Sequence, residues 1–417
     1  MNSMKLRVGA IAAVAITIAA VACTNDSVDV NSPTPALNPI FQRYVALGNS
    51  ITAGYQSGGI NDSTQKESYA KIVAEQMHTG YVYPQLVNPG CPPPVANFLT
   101  RIRTSGDTIS NSCRLRNPAT TLLIQNNVAV PGATSADPTA TTTKASNILT
   151  QLFLGGKTQV QRALDAQPTF VSVWIGNNDV LDAATKGVTG ATAALSTAGI
   201  TDTTTFRANY KKMIDQLRVQ PGLKGILIGV VNVTAIPALF PAESLLTNPT
   251  FKAKFDAIAG ATTTVLANCP GSHALISYGL AIQIRAGTHP AVVSCVKNVP
   301  AAPVGDWFVL DAAEQQIFNT DIARYNSYIA NKADSAGFAY LDPNPLLYGL
   351  RTSGAIPTLP DFTNPTAPFG AYISLDGAHP TGKTHCIAAN AIISAINLKY
   401  QTTIPARAID ANGKCGT

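Results

Sequence analysis

Apolar and polar positions follow two periods along this 417-residue chain. Short apolar runs rich in β-branched residues alternate with stretches where apolar residues recur every three or four positions. Such alternation predicts a parallel α/β sheet covered on both faces by helices. Arg43–Leu47 reads as the first strand, and Leu122–Val130 contains a second. FVSVWI at Phe170–Ile175 is the third, GILIGVVNV at Gly225–Val233 the fourth, and Phe338–Leu341 the fifth. A helix is expected over Ser68–Met77, with Ile72, Val73 and Met77 on one side. Another spans Asp311–Ala336, opening on Asp311 and Glu314 in capping-box spacing. The last runs from about Thr381 to Leu398, with Ile387, Ala391, Ile392, Ala395 and Ile396 facing inward.

Two stretches fit the alternation poorly and read as excursions from a single domain over residues 41–417. Residues 80–120 are rich in Pro, Gly and Asn. Residues 240–310 split into two kinds of sequence. Leu239–Phe255 is apolar, but Pro241 and Pro249 interrupt any continuous helix. Leu275–Val293 reads as short β-like runs broken by Gly279, Gly287 and Pro290. A wall of this kind suits a preformed groove better than a mobile lid.

The N-terminus changes the picture of where the chain resides. Lys5 and Arg7 precede an apolar run, Val8–Ala22, that ends at Cys23. The run is shorter than the ~20 residues of a membrane-spanning helix and reads as a secretory signal. Its small residue before a cysteine resembles the lipobox of bacterial lipoproteins. That resemblance implies removal of residues 1–22, a diacylated Cys23 and anchoring in the cell envelope. Thr24 rather than Asp follows, which favours the outer membrane by resemblance to lipoprotein sorting. Thr24–Pro39 is polar and non-periodic, so residues 23–40 read as a flexible tether. Export makes disulfides plausible. Pairing the remaining cysteines with their sequence neighbours gives Cys91–Cys113, Cys269–Cys295 and Cys386–Cys415.

With 46% hydrophobic residues, the chain can bury a core as a monomer without a metal. Only 12% are charged, and the formal net charge is +6. No Lys/Arg run occurs, so a nucleic-acid surface has no support. No Cys-x-x-Cys occurs, and His379, His385 and Cys386 match no usual ligand spacing, so no metal or cofactor is expected.

Four segments carry candidate chemistry. In VALGNSITAGY (Val45–Tyr55), a strand ends at Gly48 and Ser50 sits on the turn into a helix, where amides point at it. In NVAVPGATS (Asn127–Ser135), Gly132 follows an apolar run and leaves an amide free to donate. In VWIGNND (Val173–Asp179), polar side chains follow a strand at its C-terminal end, where α/β sheets place ligands. In SLDGAHPT (Ser374–Thr381), Asp376 and His379 are spaced as an orienting pair, and Pro380 holds His379 out of helical conformation. Of the five histidines, His379 alone has an Asp three residues earlier; His78 has Glu75 there, on a helix-like run.

Together and in this order, the segments resemble the SGNH (GDSL-like) hydrolase family. The match spans essentially the whole chain after the tether, apart from residues 80–120 and 240–310. It implies a flavodoxin-like three-layer α/β/α sandwich with a five-stranded parallel sheet. It also implies Ser50 as nucleophile, His379 as base, Asp376 as its orienting partner, and Ser50, Gly132 and Asn178 as oxyanion donors. The implied reaction is hydrolysis of an acyl ester, on a small molecule or an esterified glycan or lipid, without cofactor. The family's usual Gly-Asp-Ser is here Gly48-Asn49-Ser50, which keeps the size and loses the charge. Lipase, phospholipase, thioesterase and carbohydrate deacetylase specificities stay open, as does a lipoprotein that binds glycan or lipid without turnover. The apolar groove expected from 240–310 favours acyl chains from acetyl to roughly octanoyl.

Overall fold

A computed structural model of the chain describes residues 38–109, 124–140, 148–185, 199–296, 308–410 and 415–416. The expected signal segment, Cys23, most of the tether, and Cys113 lie outside the described residues.

The central sheet is parallel: β1 (Tyr44–Gly48), β2 (Phe170–Trp174), β3 (Lys224–Ile228) and β4 (Ala339–Leu341), side by side in that order. Its side chains alternate between two buried faces, as a doubly covered sheet requires. Tyr44, Ala46, Phe170, Trp174, Ile226 and Ile228 pack to one side. Val45, Leu47, Val171, Val173 and Leu227 pack to the other. The polar exception, Ser172, is fully buried and bonded to the Tyr44 hydroxyl at 2.7 Å.

Eight helices position the site: α1 (Ser50–Ala53), α2 (Tyr69–Gln76), α3 (Gln159–Asp165), α4 (Asn178–Thr185), α5 (Thr203–Leu217), α6 (Ala312–Ala336), α7 (Asn344–Thr352) and α8 (Gly382–Tyr400). Helices α2 and α8 cover the first face, and α3, α5 and α6 the second, giving three layers. The capping box expected at Asp311 and Glu314 opens α6.

Among the described residues the sheet has four regular strands, where the sequence predicts five. The described part of the segment expected as the second strand, residues 124–130, lies against the outer edge of β1, with one parallel bridge between Ala46 and Asn127. Three backbone bonds hold it: Ala46 N–H to Asn126 O at 2.7 Å, Val128 N–H to Ala46 O at 2.9 Å, and Val130 N–H to Gly48 O at 3.2 Å. A regular ladder fails because the Asn127 carboxamide takes the Ala129 N–H, and Pro131 has none to give. Strand β3 also stops short of Val233. The carboxamides of Asn326 and Asn177 capture the Val230 and Val231 N–H groups that would have continued it.

The described part of the second excursion, residues 240–296 and 308–310, holds more regular structure than its sequence suggests. Leu239–Pro241, Leu275–Ser277 and Val309–Leu310 form a small antiparallel sheet. Pro249 opens a helix, Pro249–Ala259, because a first-turn proline has no N–H to leave unpaired. Leu275–Val293 contains a helix at Gly279–Arg285 as well as β structure. Leu280, Ala281 and Ile284 are buried on one side of it, and seven residues are too few for that face to stand out as a helical period. The Cys269–Cys295 and Cys386–Cys415 disulfides form as expected. Cys91 is disulfide-bonded, but its expected partner lies outside the described residues.

Candidate active site

The first part of the site is the turn between β1 and α1. Gly48 ends the strand where a Cβ would lie 2.5 Å from the Trp174 carbonyl oxygen, so any larger residue would push the turn off β2. Asn49 is fully buried and caps α1, its Oδ1 accepting the Ile51 N–H at 3.1 Å. Asn therefore supplies the cap an Asp would give there, while its Nδ2 has no hydrogen-bond partner. Ser50 is the first helical residue.

The second part is the turn Asp376-Gly377-Ala378-His379. Gly377 adopts φ +74°, and a Cβ would lie 2.9 Å from that of Ala238. His379 Nε2 lies 2.8 Å from Ser50 Oγ, and its Nδ1 lies 2.9 Å from Asp376 Oδ2. Asp376 also accepts the N–H groups of Gly58 (2.8 Å), Ala378 (3.0 Å) and His379 (2.9 Å). Burial alone would raise its pKa. The neighbouring His379 charge and these hydrogen bonds outweigh burial and hold the carboxyl well below the usual carboxylate range. The arrangement is a hydroxyl, an imidazole and a carboxylate whose ionised form is favoured, in line.

Gly132 and Asn178 form the third part. Gly132 is held at φ +85°, and Asn178 Nδ2 donates to the Ala133 carbonyl at 2.9 Å. Asp179, next in sequence, takes both the N–H and the hydroxyl of Ser135 at 2.7 Å each. The Gly132 loop is thereby laced to the end of β2. Burial raises the Asp179 pKa to about 6, with the Ser135 bonds opposing.

Beside Ser50 lies an apolar pocket of about 100 Å³. Ile51, Trp174 and His379 border it, and Leu346, Leu350 and Ile356 add to its apolar lining. Its walls come from α4, the segment after β3, α7 and the start of α8, and none of its lining falls in residues 240–310, the wall expected from the sequence.

Several positioning residues escaped the sequence reading. Gln159, at the start of α3, is buried and grips both backbone groups of Gly48. Its Oε1 accepts the N–H and its Nε2 donates to the carbonyl, each at 3.0 Å. A Gln opening a helix carries no local signal of this; the bond spans 111 residues. Both excursions also reach the acid turn. Arg103 donates to the Gly58 carbonyl at 3.0 Å and to the Pro93 carbonyl at 2.6 Å, fixing the loop that binds Asp376. The Tyr278 hydroxyl donates to the Asp376 carbonyl at 3.3 Å, and the Ala238 N–H to the Gly377 carbonyl at 3.0 Å. The Tyr55 ring packs 5.0 Å from the His379 ring.

His385 lies apart from this chemistry, fully buried, with Nδ1 accepting the Tyr69 N–H at 3.2 Å. The neighbouring Cys386 sulfur is committed to a disulfide.

Comparison with curated protein sequences gives no match. Among solved structures, the extracellular lipase from Streptomyces rimosus is similar at 15% identity and a TM-score of 0.35, over 84% of this chain and 98% of that one. A family model for GDSL-like lipase/acylhydrolases matches residues 44–392, a span that runs from β1 into α8 and includes all four segments of the site. The chain belongs to the GDSL-like lipase/acylhydrolase family.

Proposed function

We propose that the protein is a serine esterase that hydrolyses short acyl esters. The observation that carries this reading is the unbroken contact chain from Asp376 through His379 to Ser50, at 2.9 and 2.8 Å. His379 Nε2 takes the Ser50 proton as Oγ attacks the acyl carbonyl. Asp376 stabilises the imidazolium, which then protonates the departing alcohol. The oxyanion is held by the N–H groups of Ser50 and Gly132 and by Asn178 Nδ2, which keeps a second hydrogen beyond the one given to Ala133. Water, activated by the same histidine, releases the acid and restores Ser50.

The small apolar pocket beside Ser50 suits a short acyl chain. The buried core of the excursion's described residues, with Leu245, Phe255, Ile276 and Leu280 packed inside, lends no support to a mobile apolar lid. Ser50→Ala or His379→Ala is expected to abolish hydrolysis of p-nitrophenyl acetate and butyrate while leaving circular dichroism unchanged. Asn178→Ala is expected to lower kcat by about a hundredfold, since one oxyanion donor contributes ~3 kcal/mol, with little change in KM. Full activity in folded Ser50→Ala protein would refute the assignment. A rate that peaked on long-chain triglyceride emulsions would refute the short-chain specificity.

The same reading puts the enzyme in a bacterial envelope, tethered through acylated Cys23, with the outer membrane favoured. Mass spectrometry of the mature N-terminus tests this, and an unmodified Cys23 would overturn it.

A further inference from the structure

A second concavity lies where the two excursions meet, and it shares no lining residue with the pocket beside Ser50. Its volume is about 530 Å³, within the usual range of small-molecule sites. Arg101 from the first excursion and Lys254 and Arg285 from the second line it, over an apolar floor that includes Phe98, Ile258 and Phe362. Phe98 and Phe362 stack at 5.6 Å, so the floor is rigid. Three cations on one groove repel one another, and among the described residues little neutralises them. Asp361 stands 3.8 Å from Lys254, and among the described residues Arg101 and Arg285 have no carboxylate partner.

Arg101 adds two independent signs. It is held at φ +59°, a left-handed conformation uncommon for a side-chain-bearing residue and concentrated at ligand sites. Its Nη1 is buried without a hydrogen-bond partner, and its guanidinium lies 6.0 Å from the Phe98 ring centre. A buried charged donor with no acceptor is an incomplete hydrogen-bond arrangement that an anion would complete.

We propose that this groove binds an anionic amphiphile, with a carboxylate or phosphate head among Arg101, Lys254 and Arg285 and an apolar stem across Phe98 and Phe362. The cations disfavour a neutral lipid, and the apolar floor disfavours a bare inorganic anion. The proposal is independent of the roles assigned to Ser50 and His379.

Isothermal titration of the full protein with octanoate and with octyl phosphate, each below its micelle concentration, tests it. Binding of at least one is expected to weaken about tenfold in Arg101→Gln and again in Arg285→Gln, with near-UV circular dichroism unchanged. Arg285 is an exposed helix-end residue, so its variant keeps the test valid if Arg101→Gln folds poorly. Any octanoate bound beside Ser50 would survive both substitutions and be read separately. Tighter octanoate binding would point to an acid product of ester hydrolysis as the ligand, and tighter octyl phosphate to a phospholipid head. Affinity unchanged in both variants, or octyl glucoside or inorganic phosphate binding as tightly as the two octyl anions, would overturn the proposal.

Discussion

The carboxamide of Gln159 occupies both backbone groups of Gly48, two residues ahead of Ser50. The site is buried, so removing the carboxamide leaves the Gly48 N–H without a partner and its carbonyl with the Val130 N–H alone, at a cost of about 1–3 kcal/mol. Gln159→Leu is therefore expected to lower the unfolding midpoint and also to displace the Ser50 turn, reducing kcat more than it changes KM. A purely structural role would lower stability and leave the kcat of the folded fraction intact, which active-site titration distinguishes. Asn49 shows the opposite economy. Its Oδ1 alone does the capping, so the loss of the family's acidic charge leaves the geometry of the turn intact.

Among the elements, the two excursions are the surprise. The second reads as a wall of the substrate groove, yet no residue of 240–310 lines the pocket beside Ser50, whose walls come from α4, the segment after β3, α7 and the start of α8. The excursions instead brace the acid turn from outside. Arg103 fixes the Gly58 loop, whose N–H binds Asp376, and Tyr278 holds the Asp376 carbonyl. Arg103→Ala is expected to lower kcat about tenfold through a loosened Asp376, with KM nearly constant and partial recovery in Arg103→Lys. Equal loss in the Ala and Lys variants would mean that Arg103 acts through packing alone.

For the whole molecule, the buried ionisable groups set the response to pH. Burial lowers the His385 pKa to about 3, with the nearby His379 charge adding to the effect. The unfolded chain takes up this proton near 6.5, so from there down to about 3 the unfolded state binds more protons and stability falls as pH falls. Asp179 works the other way, because its folded pKa of about 6 stands above the ordinary carboxylate value. Its contribution to stability grows as pH falls from 6 towards 4. His385→Asn keeps an acceptor for the Tyr69 N–H and removes the titration. Urea unfolding at pH 7 and pH 5 should show wild type losing about 1–2 kcal/mol more than the variant between the two. Equal losses would show that His385 is not held neutral in the fold.

The two periods of apolar spacing determined the layered α/β plan, because a sheet buried on both faces and helices buried on one leave distinct local patterns. Four motifs in order determined the family and named Ser50, Gly132, Asn178, Asp376 and His379, since each places a chemical group on a strand end or a tight turn that local sequence dictates. Tertiary structure decided what depended on distant partners. The edge segment fell short of a regular strand because Asn127 and Pro131 withdrew its hydrogen bonds, and β3 ended where Asn177 and Asn326 captured its amides. Gln159 and Arg103 gained their roles only through contacts across 111 and 45 residues. A side-chain amide or guanidinium has no periodicity to announce its target; the backbone group it will meet exists as a site only once the chain has folded.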